Sequence, residues 1–151
     1  LLAAMFLYDL KWMILPNKLT YALFSVALIQ VIVLFITRNF DFEILRLATF
    51  STLVGGVLFH LIYIFSNGKY IGGGDVKLGY AYGLLLLDPI LPWLVLTAAS
   101  IVGSMIAAYM LVTKKAKMGS KLPFGPMLIF GVFLIMLWGP RLWDKVGTLW
   151  Y

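Results

Sequence analysis

The chain of 151 residues contains no cysteine and one histidine, His60. The first absence excludes disulfides, thiolate metal sites and a cysteine nucleophile; the second excludes a histidine metal cluster. Charge is scarce as well. Charged residues make up 12% of the chain, against about 25% in an ordinary soluble domain. Only six of them are acidic, so acid–base chemistry has few possible seats. What fills the sequence instead is apolar, with 63% hydrophobic residues and a mean hydropathy of +1.01. A chain this small has too much surface for its volume to hide that in one core. The bilayer must be solvent for much of it. The net charge of +6 lies in short basic clusters beside apolar runs, a lipid-flanking pattern rather than a nucleic-acid footprint.

A helical span needs about 20 apolar residues, with every backbone polar group bonded internally. Apolar runs cover residues 1–15, 19–37, 45–65, 75–87, 91–113 and from Pro126 to about 139. Pro16-Asn17, Asp88-Pro89 and the motif Pro123-Phe124-Gly125-Pro126 punctuate them. The pattern predicts an all-α, polytopic membrane protein of about six transmembrane helices in a single domain, residues 1–151. The first run is short for a span and opens on Leu1 rather than Met, so its N-terminal part is expected to be missing. Gly55-Gly56 would permit close helix contact, as small residues do in such spans. The sharpest break is Ser66-Asn67-Gly68-Lys69-Tyr70-Ile71-Gly72-Gly73-Gly74, where three consecutive glycines bring backbone freedom and no side chains.

Loop charge gives an orientation. The first, third and fifth connections carry Lys11, Lys18, Lys69, Lys77, Lys114, Lys115, Lys117 and Lys121, eight of the twelve basic residues. The opposite side carries Arg38, Arg46, Arg141 and Lys145. The excess of positive charge makes the first face cytoplasmic. Asp9 precedes the first of these connections and Asp75 follows the third, so both fall near that face.

Four of the six acids have ordinary explanations. Asp41 and Glu43 sit in a polar loop with Arg38 and Arg46, Asp88 stands at a turn before Pro89, and Asp144 lies between Arg141 and Lys145. Asp9 and Asp75 differ. Asp9 interrupts an apolar run and Asp75 opens another directly after the glycines. A charge in a bilayer costs about 2.5–3.5 kcal/mol on insertion scales, so acids there usually serve function. The plain alternative has each carboxylate snorkelling to the interface or pairing with Lys11 or Lys77. Two carboxylates in one low-dielectric site cannot both ionise and so share a proton. One then takes a proton from water while the other hydrogen-bonds a scissile carbonyl, which is the logic of aspartic proteases.

Tyr8-Asp9-Leu10 with Ile14-Leu15-Pro16-Asn17-Lys18-Leu19-Thr20 resembles the first aspartate motif of type IV prepilin peptidases. Gly72-Gly73-Gly74-Asp75-Val76-Lys77-Leu78 resembles their second, the GxGD-type signature, and Leu122-Pro123-Phe124-Gly125-Pro126 the motif opening their last helix. The motifs occur in order and cover essentially the whole chain. The resemblance implies a membrane aspartic endopeptidase that cuts the short basic leader from type IV prepilins or pseudopilins at the cytoplasmic face of the inner membrane. Asp9 and Asp75 match the catalytic pair. Gly72, Gly73, Gly74, Lys77, Pro123, Phe124, Gly125 and Pro126 are candidates for binding substrate or shaping the site. For the glycines the alternative is loop geometry, for Lys77 snorkelling, and for Pro123 to Pro126 helix punctuation. No metal or other cofactor is expected, and the expected partners are prepilin substrates and the lipid bilayer, without nucleic acid.

Many bacterial members carry an upstream region with paired Cys-x-x-Cys motifs, linked to methylation of the new amino terminus. With no cysteine in this chain, that region is expected to be absent and no methyltransferase activity is expected. The archaeal preflagellin peptidases are similar in architecture and provide an alternative reading. A transporter or channel also uses glycine-broken helices with intramembrane acids, and a non-catalytic assembly subunit would use only apolar faces. Acids placed inside ordered motifs favour the peptidase.

Overall fold

The computed structural model describes residues 1–12, 14–69, 71–114 and 124–147, with residues 139–147 described for their backbone alone. Pro123, Leu122, Lys115, Lys117, Lys121, Tyr70 and Met13 lie outside the described residues. Among the described residues the chain is all helical, in six helices: α1 (Leu2–Trp12), α2 (Asn17–Thr37), α3 (Phe42–Ser66), α4 (Gly73–Leu86), α5 (Leu91–Val112) and α6 (Gly125–Gly147). The count and order match the sequence expectation.

Local chemistry sets the helix ends. Pro16 fixes the entry of α2, and its carbonyl accepts from the N–H of Leu19 and of Thr20. Asp41 caps α3 by accepting from the Glu43 N–H at 3.0 Å. At the far end of α3, Asn67 and Gly68 take left-handed conformations, and the Gly68 N–H bonds back to the Tyr63 carbonyl, the usual close of a helix on Asn-Gly. Asp88 makes the expected turn, accepting from the Ile90 N–H at 2.8 Å. Several ends differ from expectation: α1 stops at Trp12 rather than at residue 15, and α3 begins at Phe42 rather than 45, so Glu43 and Arg46 belong to the helix and not to a loop. Gly73 and Gly74 belong to the first turn of α4 rather than to the loop. The last helix continues past residue 139 to Gly147 through Pro140, because one missing N–H is tolerated where the rest of the ladder stays bonded.

Among the described residues three helices are long and apolar enough to cross a membrane: α2, α3 and α5, of 21, 25 and 22 residues. In α6 the stretch Gly125–Trp138 is apolar. By contrast α4, with 14 residues, reaches only about 21 Å at 1.5 Å per residue, less than the hydrocarbon thickness of about 30 Å. It is also the helix with the most enclosed side chains, burying Asp75, Val76, Leu78, Ala81, Tyr82, Leu84 and Leu85. The bundle is therefore built around a short central helix, wrapped chiefly by α3 and α2, while α6 packs on α5 and α1.

Glycine lets α3 and α4 approach so closely. A methyl group at Gly79 would stand 2.5 Å from the Gly55 carbonyl oxygen, and one at Gly83 would stand 2.6 Å from that of Ser51. Gly79 and Gly83 are four residues apart on one face of α4, the small-xxx-small spacing of helices in close contact. The Ser51 hydroxyl donates to the carbonyls of Gly83 (2.6 Å) and Asp88 (3.0 Å), satisfying the end of the short helix. Gln30 on α2 donates to the Leu85 carbonyl at 3.3 Å. Thus α4 is held from both sides.

Candidate active site

Asp9 and Asp75 are both buried, 4% and 8% exposed, although 66 positions separate them in the sequence. Asp9 lies on the face of α1 that carries Leu2, Met5 and Phe6, with Met5 and Phe6 one helical turn before it and Leu2 one turn earlier still. That face packs on α6. Asp75 occupies the first turn of α4, where its N–H bonds to the Gly72 carbonyl at 3.1 Å. The first residue of α6, Gly125, lies against both carboxylates. A methyl group built there would overlap Asp9 Oδ2 and stand 3.0 Å from Asp75 Oδ1. Two oxygens flanking one point in this way lie within about 5 Å of each other, the span of a single water bridging two hydrogen bonds. The two acids that sequence reasoning singled out therefore meet.

Three helix ends converge here, the C-terminal end of α1 and the N-terminal ends of α4 and α6. Helix N-termini carry partial positive charge from unpaired N–H groups. Two of them at one site offset part of the cost of holding a carboxylate as an anion away from water. The chain around the acids is tightly drawn. Leu15 is buried beneath the glycine run, its Cβ 2.9 Å from where a methyl on Gly74 would sit. Phe124 stacks on Phe59 of α3, ring centres 6.2 Å apart, and sets the entry of α6.

The other expected residues are distributed unequally. Gly72 adjoins the Asp75 carboxylate, a methyl there standing 3.6 Å from Oδ2. A methyl on Gly73 would stand 3.8 Å from the Tyr63 ring, and Pro126 is buried in the first turn of α6. Pro123 lies outside the described residues. Lys77 is exposed and donates to Asn17 Oδ1 at 2.8 Å, with the Tyr21 ring 5.8 Å away. Lys11 lies over the Trp12 ring at 4.5 Å. Asn17 carried no signal of its own, since after a proline it reads as an ordinary helix start. His60 Nδ1 lies 3.0 Å from the Tyr80 hydroxyl, a hydrogen-bonded residue remote in the chain from the acids.

Fold and site together define an all-α membrane bundle with paired acids at one end. A sequence profile of the type IV leader peptidase family matches residues 1–139, and the chain belongs to that family. It is similar to the prepilin leader peptidase/N-methyltransferases of Stutzerimonas stutzeri (29% identity, 93% of this chain and 48% of the relative) and Pseudomonas aeruginosa (31%, 93% and 48%). It is also similar to leader peptidase HopD of Escherichia coli (29%, 87% of this chain and 83% of the relative). The chain spans about half the length of the first curated relatives it matches. No solved structure matches it.

Proposed function

We propose that the chain is the peptidase part of a prepilin leader peptidase, an aspartic endopeptidase using Asp9 and Asp75 at the cytoplasmic face of the inner membrane. The observation that carries this reading is the meeting of two buried carboxylates across Gly125, within reach of one shared water. Like charges so close cannot both persist out of bulk water, so the pair holds one proton. The anionic member removes a proton from the water as its oxygen attacks the scissile carbonyl carbon. The protonated member hydrogen-bonds the carbonyl oxygen and neutralises the charge that develops there. Collapse of the tetrahedral intermediate breaks the C–N bond, and a proton from the pair goes to the leaving nitrogen. The products are a free carboxylate on the leader and a new amino terminus on the remaining chain.

Family membership supports a prepilin or pseudopilin as substrate, and the names of the relatives support leader removal as the reaction. The cut would fall on the basic leader, before the apolar helix of the substrate. The test is cleavage of a prepilin in membranes by Asp9→Asn and Asp75→Asn variants. Each variant is expected to lose leader removal while remaining membrane-inserted at normal abundance. Full activity in either would eliminate the pair as the machinery.

A further inference from the structure

The first turn of α4 has no side-chain cap, and the close packing that holds this helix lies mostly further along it, at Gly79 and Gly83. Its N-cap is Gly72, which supplies no side-chain hydrogen bond, and Gly73 and Gly74 follow. Yet the rotation of the helix about its axis decides where Asp75 points, because a side chain in the first turn sweeps about 100° for each residue of slippage. Just past this turn, the Lys77 side chain reaches out to another element. Its ammonium donates to Asn17 Oδ1 at 2.8 Å on α2 and lies 5.8 Å from the ring of Tyr21, one turn further along the same face. Asn17 is the first residue of α2 and is joined through Leu15 and Pro16 to the end of α1, the helix that carries Asp9. Leu15 in turn packs under Gly74. The bond therefore links the segment leaving Asp9 to the segment carrying Asp75.

We propose that Lys77 and Asn17 are positioning residues, a clamp between α4 and α2 that aims Asp75 at Asp9. Lys77 touches neither reacting group in this assignment and acts through the orientation of Asp75. A charged donor makes this bond stronger than a neutral one, and its exposure to solvent keeps it modest. The clamp rests on the peptidase reading only for its kinetic consequence.

The test has two arms. In the first, Lys77→Met, Asn17→Leu and the double variant are assayed on a membrane-anchored synthetic peptide carrying a basic leader, a glycine and an apolar helix. Each single change is expected to lower kcat about fivefold to tenfold, the scale of one charge-assisted hydrogen bond, with KM unchanged. The double variant is expected to lose no more than either single one, because both remove the same bond. Lys77→Arg, which retains a donor of similar reach, is expected to recover most of the rate. Additive losses, or a loss confined to KM, would overturn the clamp. The second arm needs no catalysis. The chain has no cysteine of its own, so Asp9→Cys and Asp75→Cys together report alignment through the rate of joining by a short thiol cross-linker. That rate is expected to fall about fivefold on adding Lys77→Met. An unchanged rate would overturn the clamp, whatever the Asp9→Asn and Asp75→Asn variants do.

Discussion

At Gly125, a hydrogen where other residues have a carbon leaves the space in which Asp9 and Asp75 face each other. Alanine there would push its methyl into the Asp9 carboxylate, and either that side chain or the start of α6 would have to move. Displacement of a reacting group by about 1 Å can cost on the order of 100-fold in rate. Gly125→Ala is therefore expected to lower kcat by about that factor, measured in single-turnover cleavage, with the folded protein still recovered from membranes. The pair should also write itself into the pH dependence. On the proposed mechanism, no base activates the water when both acids are protonated, and no donor meets the carbonyl when both are ionised. The rate is expected to rise through the first titration and fall through the second, giving a bell whose limbs belong to the pair rather than to either residue. A rate that keeps rising into the alkaline range would contradict a shared proton.

Between elements, the contact of α3 with α4 carries the site, since α4 brings Asp75 and is too short to cross the bilayer by itself. A methyl at Gly79 would meet the Gly55 carbonyl at 2.5 Å and the Phe59 ring at 3.1 Å, so backbone rather than a side-chain tip must yield. Overpacking of this kind costs about 1–3 kcal/mol. Gly79→Ala is expected to lower the thermal midpoint in detergent by several degrees and to reduce activity with it. Gly103→Ala, whose methyl would meet only the Met127 sulfur at 3.2 Å, is the control and should leave both nearly unchanged. How far this was legible varies by residue. Gly55 and Gly56 were readable as a close-contact site in a long apolar run. The matching Gly79 and Gly83 stood in plain view, but the run 75–87 was read for length and apolarity, and the facing helix is a tertiary fact. Asp9 and Asp75 were readable because acids inside apolar runs are expensive. Lys77 was readable only as a choice between snorkelling and a part in binding substrate or shaping the site, because Asn17, its acceptor, is 60 residues away in the chain.

Across the whole molecule, the convergence of three helix ends constrains topology. The end of α1, the start of α4 and the start of α6 meet at Gly125. The connections α1–α2, α3–α4 and α5–α6 must then open on one face, and α2–α3 and α4–α5 on the other. Composition alone had already divided the chain in this way, since eight of its twelve basic residues fall on the first face. Charge and packing thus group the connections in the same way. Charge adds an expectation of side, the lysine-rich face toward the cytoplasm, which labelling tests. Because the chain has no cysteine, a single introduced thiol reports its own side. Lys69→Cys, in the α3–α4 connection, is expected to react with a membrane-impermeant maleimide in inverted vesicles and to stay unlabelled in intact spheroplasts. Asn39→Cys, between α2 and α3, is expected to do the reverse. Both residues are exposed in the bundle, so access is set by the membrane rather than by burial. Labelling of both from one side would break the alternation on which the meeting of Asp9 and Asp75 depends, and swapped labelling would move the acids to the outer face, away from a leader still on the cytoplasmic side.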